Sequence, residues 1–132
     1  MVEILILSAD DIFYGKLTSL LNKQGLAVSR AKDLPEVLTS LRGQTKPECL
    51  VIDYEDKGMS VTRQHLLWTR SIRNYADQYI PGLRIILASM IGREILKNQY
   101  LLTRSGGTFS SMRVDVISRD PQIIANHIVA QP

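Results

Sequence analysis

Two spacings of apolar residues alternate along the chain. Ile4-Leu5-Ile6-Leu7 is an unbroken run of strand length, as a strand covered on both faces requires. After the polar turn Ser8-Ala9-Asp10-Asp11 the spacing turns helical: Phe13, Leu17, Leu20 and Leu21 share a face, and Gly25 stands where a helix C-terminal cap belongs. Leu26 to Val28 reads as a short strand. Asp33 and Glu36 have the spacing of a capping box, and Leu34, Val37, Leu38 and Leu41 supply the stripe of a second helix, which Gly43 to Pro47 breaks. Cys49 to Ile52 is the next buried strand and ends on Asp53. Leu67, Trp68, Ile72, Tyr75 and Tyr79 give a third helical stripe, closed by Pro81-Gly82. Arg84 to Ala88 is a fourth strand with Ser89 at its carboxyl end. Ile91 to Leu102 reads as a fourth helix, and Val114 to Ile117 as a fifth strand. Asp120-Pro121 opens a last helix, with Asp as N-cap and Pro in the first helical position, and Ile123, Ile124, His127 and Ile128 are expected to face inward.

Five strands alternating with five helices predict a parallel sheet with helices on both faces, because parallel strands need crossovers and these are right-handed. The 132 residues suit one domain spanning 1–132, and 45% apolar with 22% charged residues is ordinary globular composition. No segment approaches the roughly 18–20 uninterrupted apolar residues of a membrane span. The first residues lack a basic start and a cleavage site, so they read as a strand rather than a secretory signal. Cys49 is the only cysteine, which excludes an internal disulfide and a cysteine metal cluster and makes it a core hydrophobe. A cytoplasmic location is the expectation. The net charge of +3 permits an acidic partner without the strongly basic surface of a dedicated nucleic-acid binder.

In an open parallel sheet, ligands bind beyond the carboxyl ends of the strands. The residues there are Ser8, Ala9, Asp10 and Asp11 after the first strand, Asp53, Tyr54, Glu55 and Asp56 after the third, and Ser89 after the fourth. Carboxylates converging from two strands point to a phosphoryl acceptor, to a hard-cation site binding through oxygens, or to a solvated loop.

Strand, acidic turn, helix, Gly25, strand, helix and then Leu50-Val51-Ile52-Asp53 resembles the receiver domain of bacterial response regulators, closely over residues 2–90 and more loosely beyond. The resemblance implies a three-layer α/β/α sandwich of the flavodoxin-like type, with a five-stranded parallel sheet in the order 2-1-3-4-5. It places Asp53 at the family's phosphoacceptor position and Ser89 at that of the Ser/Thr that senses the phosphoryl group.

Several positions depart from that pattern. With Leu17, Leu20, Leu21 and Gly25 setting the register, the acidic pair that holds Mg2+ in the family falls on Ser8 and Ala9, and Asp10 lies one residue past it. Phosphoryl transfer to a carboxylate concentrates negative charge that the family's divalent ion offsets, and alanine brings no side-chain oxygen. No cofactor is therefore expected, beyond weak Mg2+ binding through Asp10 and Asp53. Asp56-Lys57 replaces the family's Met-Pro. The conserved lysine of the family has Ser118 or Arg119 as its counterpart, and arginine, a fixed planar fork, is no neutral substitute. The expectation is a pseudo-receiver, a regulatory module rather than a turnover enzyme, acting through protein–protein contact without phosphorylation. The partner would be a histidine kinase or an output domain or protein, with a homodimer also open. The alternative is a working receiver phosphorylated on Asp53 in a two-component phosphorelay.

Arg63, Arg70 and Arg73 fall in one arc of the third helix, and read either as a partner surface or as a solvated helix face with Asp77 neutralising part of it. Arg93 and Lys97 charge the fourth helix, which belongs to the receivers' usual output face. His65 and His127 lack the spacing of a zinc site. A nucleic-acid- or flavin-binding α/β domain is a further reading, opposed by the mild charge and the absence of a P-loop or G-x-G-x-x-G after the first strand.

Overall fold

The computed structural model describes residues 3–43, 46–54, 63–89 and 114–130. Within them, five strands and four helices follow one another as β1 (Glu3–Leu7), α1 (Asp11–Lys23), β2 (Ala27–Ala31), α2 (Leu34–Arg42), β3 (Cys49–Tyr54), α3 (Arg63–Tyr79), β4 (Arg84–Ser89), β5 (Val114–Ser118) and α4 (Pro121–Ala130). All pairings are parallel and the strand order is β2-β1-β3-β4-β5, as expected from the sequence. The helix expected over 91–102, with Arg93 and Lys97, lies outside the described residues, as do Glu55, Asp56 and Lys57.

The unbroken apolar runs become the three central strands, and their alternation feeds two separate cores. Leu5, Leu7, Leu50, Ile52, Ile85 and Leu87 pack with Val37 and Leu41 of α2 and Ile72 and Ala76 of α3. Ile4, Ile6, Cys49, Val51, Ile86 and Ala88 pack with residues of α1 and α4, among them Leu17, Leu21, Ile124 and Ile128. Cys49 belongs to this second core, and burial pushes its thiol up to about 12, leaving a neutral, inert side chain.

Local chemistry sets where the helices begin and end. The Asp10 carboxylate caps α1 by accepting from the N–H groups of Ile12 (2.9 Å) and Phe13 (3.1 Å). At the other end Gly25 takes φ +78°, the left-handed region that favours glycine, and Leu26 N–H reaches back to the Leu21 carbonyl at 3.1 Å. This closes the helix and turns the chain into β2, which runs longer than the predicted Leu26–Val28. Asp33 caps α2 through Glu36 N–H, while the Glu36 carboxylate accepts from Lys32 N–H, one residue earlier than a strict capping box. Asp120 caps α4 through the N–H groups of Gln122 and Ile123.

Three side chains differ from the expected faces. Tyr79 is 42% exposed, and Ala76 takes the buried position on that stripe of α3. Ile123 is 48% exposed, because α4 turns Ile124, Ala125 and Ile128 to the sheet instead. Arg73 was expected on a solvent-facing basic surface but is only 4% exposed. Its guanidinium donates to the Leu83 carbonyl at 2.9 Å and pairs with Asp77 one turn on at 3.2 Å. The long apolar stem lets this arginine bury itself while its head closes the turn between α3 and β4. Arg63 and Arg70 lie on the first half of the same helix.

Candidate functional site

Three strands deliver polar groups to one place because each stops being apolar at its carboxyl end. Ser8 follows β1 and continues the alternation of Ile4 and Ile6, just as Asp53 continues that of Cys49 and Val51. Both therefore stand on the sheet face that carries α1 and α4. Ser8 N–H still bonds to the Ala31 carbonyl at 3.1 Å, so its backbone continues the β1–β2 ladder. At the far side Arg119 N–H donates to the Ser89 carbonyl at 3.1 Å, which extends the β4–β5 ladder by one residue.

The result is a closed ionic cluster centred on Asp53, whose side chain is 2% exposed. Arg119 meets it as a fork: Nε donates to Oδ1 at 2.6 Å and Nη2 to Oδ2 at 3.0 Å. Ser8 Oγ donates to Oδ2 at 2.6 Å and accepts from Asp10 N–H at 3.0 Å. Arg119 Nη2 also donates to Asp10 Oδ2 at 2.8 Å, while Asp10 Oδ1 keeps its capping role. Beneath the guanidinium lies the Phe13 ring, 4.5 Å from Cζ to centroid. A buried carboxylate is costly unless its lone pairs are met, and here three charged or polar donors meet them.

The electrostatics follow from these contacts. The Arg119 guanidinium holds the Asp10 carboxyl below the usual carboxylate range, with the N–H of Phe13 and Ile12 acting in the same direction. Asp53, and after it Asp10, drive the Arg119 pKa further up, so the guanidinium stays charged.

Of the residues singled out in the sequence, Ser8, Asp10, Asp53 and Arg119 come together. Ala9 is exposed and contributes no side-chain ligand. Between the two candidates for the lysine position, Arg119 enters the cluster and Ser118 is exposed. Ser89 is buried at the end of β4, in register with Tyr54 and Ser118, and follows Ile85 and Leu87 in the alternation of its strand. Two contributors were not anticipated. Phe13, expected only as core, forms the platform for Arg119. Arg30 of β2 grips the β1–α1 turn from the opposite side, with Nε on the Ser8 carbonyl at 3.1 Å, Nη2 on Asp11 at 2.8 Å and its head 4.5 Å above the Tyr14 ring. A lone arginine in a half-buried edge strand is the signal that could have found it.

A divalent cation does not fit this arrangement. A hard cation needs several free oxygens. Both Asp53 oxygens and Asp10 Oδ2 are turned toward a guanidinium, and among the described residues no group of three or more His, Cys, Asp or Glu side chains is placed to hold a metal.

No family model matches the chain, and no curated protein matches it by sequence. Its structure is similar to solved structures of response regulators. A two-component response regulator from Clostridium difficile superposes with a TM-score of 0.69 at 17% identity, over 98% of this chain and 94% of that one. A response regulator from Thermotoga maritima gives 0.68 at 14% identity, over 98% and 96%. The chemotaxis protein CheY4 of Vibrio cholerae gives 0.70 at 13% identity, over 98% of each chain. The chain therefore has the fold of response-regulator receiver domains, in agreement with the resemblance read from its sequence. No helix among the described residues is long and apolar enough to cross a membrane.

Proposed function

We propose that this chain is a receiver-type signalling module that acts by binding a protein partner, without phosphorylation of Asp53. The observation that carries this reading is the occupation of both Asp53 oxygens by the Arg119 fork and Ser8. A carboxylate attacks phosphorus with an oxygen lone pair, and the developing charge needs a cation positioned beside the incoming phosphoryl group. Here both oxygens are engaged, Oδ2 by Ser8 and Arg119 and Oδ1 by Arg119. The positive charge already present is a protein side chain, whose planar fork is matched to one carboxylate. The fold supports a regulatory role rather than turnover, and the partner class is a histidine kinase, an output domain or another signalling protein.

The test is incubation of the full chain with acetyl phosphate and Mg2+, followed by intact-mass measurement. No stoichiometric phosphoryl adduct is expected. An adduct that forms on the wild-type chain and vanishes in Asp53→Asn would establish the working-receiver alternative instead.

A further inference from the structure

The cluster around Asp53 ties together parts of the chain far apart in sequence. Arg119 reaches the tip of β3 through Asp53 and the start of α1 through Asp10. Its own main chain hangs from Ser89, and the next residue, Asp120, caps α4. The side chain that fills the acidic pocket is thus mounted on the turn that starts α4, with Phe13 as its aromatic support.

We propose that Arg119 is a tethered cation that couples Asp53 to the β5–α4 turn: a partner that displaces the turn opens the acidic pocket, and a cation that enters the pocket displaces the turn. The inference rests on the phosphorylation-independent reading and names the regulation of that same site. Its physical basis is exclusion. The guanidinium and a divalent cation need the same oxygens of Asp10 and Asp53, and two positive charges do not share them. Exclusion at one site makes the coupling reciprocal, so whatever favours one occupant disfavours the other. Arg42 supplies an internal control. It is an exposed arginine at the end of α2, on the opposite face of the sheet, with its head 5.9 Å from the Tyr75 ring and no bond to the cluster.

The experiment is Mg2+ titration of the full chain by calorimetry, paired with amide hydrogen exchange. Arg119→Met removes the charge and keeps an apolar stem on Phe13; it is expected to bind Mg2+ at least about ten-fold more tightly than wild type. Arg119→Lys, which retains a cation without the fork, is expected to fall between them and serves if the methionine variant folds poorly. Arg42→Met, which also removes one positive charge, is expected to leave the affinity unchanged. Asp53→Ala is expected to accelerate exchange of the Gln122 and Ile123 amides, which Asp120 caps. Unchanged Mg2+ affinity in both Arg119 variants overturns the proposal, as does an equal gain in Arg42→Met or unaltered exchange in Asp53→Ala. None of these outcomes bears on whether wild type accepts a phosphoryl group, so a failed coupling and a failed functional reading are told apart.

Discussion

Along the middle of β1, β3 and β4 both faces of the sheet are apolar, and the two cores differ only in which helices cover them. At the carboxyl end of β1 and β3 the same alternation delivers a hydroxyl and a carboxylate to the α1/α4 face. Ser8 and Asp53 are buried as well, yet what stabilises them is different. The interior depends on removing apolar surface from water and filling space. The tip depends on each lone pair and each N–H finding a partner. A sheet end can therefore hold a buried carboxylate, provided the charges around it answer one another.

The sharpest way to break the comparison is to damage each region and compare the cost. Leu50 is fully buried at the centre of the α2/α3 core. Leu50→Ala is expected to destabilise the fold by about 2–5 kcal/mol, measured by urea unfolding, with no effect confined to the tip. Arg119→Met comes next, at about 1–3 kcal/mol, because it leaves Asp53 buried with Ser8 as its remaining side-chain donor. The value sits below that of a wholly buried ion pair because Arg119 is partly open to solvent. Adding Asp53→Asn removes the stranded charge, so the double variant is expected to lose less than the sum of its singles by about 0.5–3 kcal/mol. Strict additivity would mean that the fork contributes nothing beyond its separate halves.

The two regions also differed in how far the sequence disclosed them. Periodicity was sufficient for the strands, because a run such as Cys49-Leu50-Val51-Ile52 buries the same way whatever its neighbours are. The caps Asp33 and Asp120 were legible too, since each acts on N–H groups two or three residues away. The candidate site was only half legible. Ser8, Asp10 and Asp53 followed from strand ends, but the choice between Ser118 and Arg119 depended on where β5 stops. Arg119 meets Asp53 across 66 residues of chain, and no local pattern encodes such a pair. Arg73 failed for the converse reason. A helical arc shows which way an arginine starts, whereas its long stem decided where the charge ended, under Leu83 rather than in solvent.

The smallest expected effect concerns Asp10, which faces both water and the cluster. The charged groups around it are Arg119, Asp53, its neighbour Asp11 and, through Asp11, Arg30. Its carboxyl is held below its ordinary value in the folded chain, chiefly by Arg119, so the folded state favours the ionised form more than the unfolded state does. The contribution to stability is therefore complete above the unfolded pKa, near about 4. It is lost as pH falls through the lower folded value. Asn is as good an N-cap as Asp, so Asp10→Asn keeps the bonds to Ile12 and Phe13 and removes the charge together with the oxygen that accepts from Arg119. Urea midpoints between neutral and acid pH are expected to show wild type above Asp10→Asn at neutral pH, with the two curves converging in acid. Parallel curves would mean that the Arg119–Asp10 bond contributes no charge-dependent stability, and that Asp53 alone holds the guanidinium at the tip of the sheet.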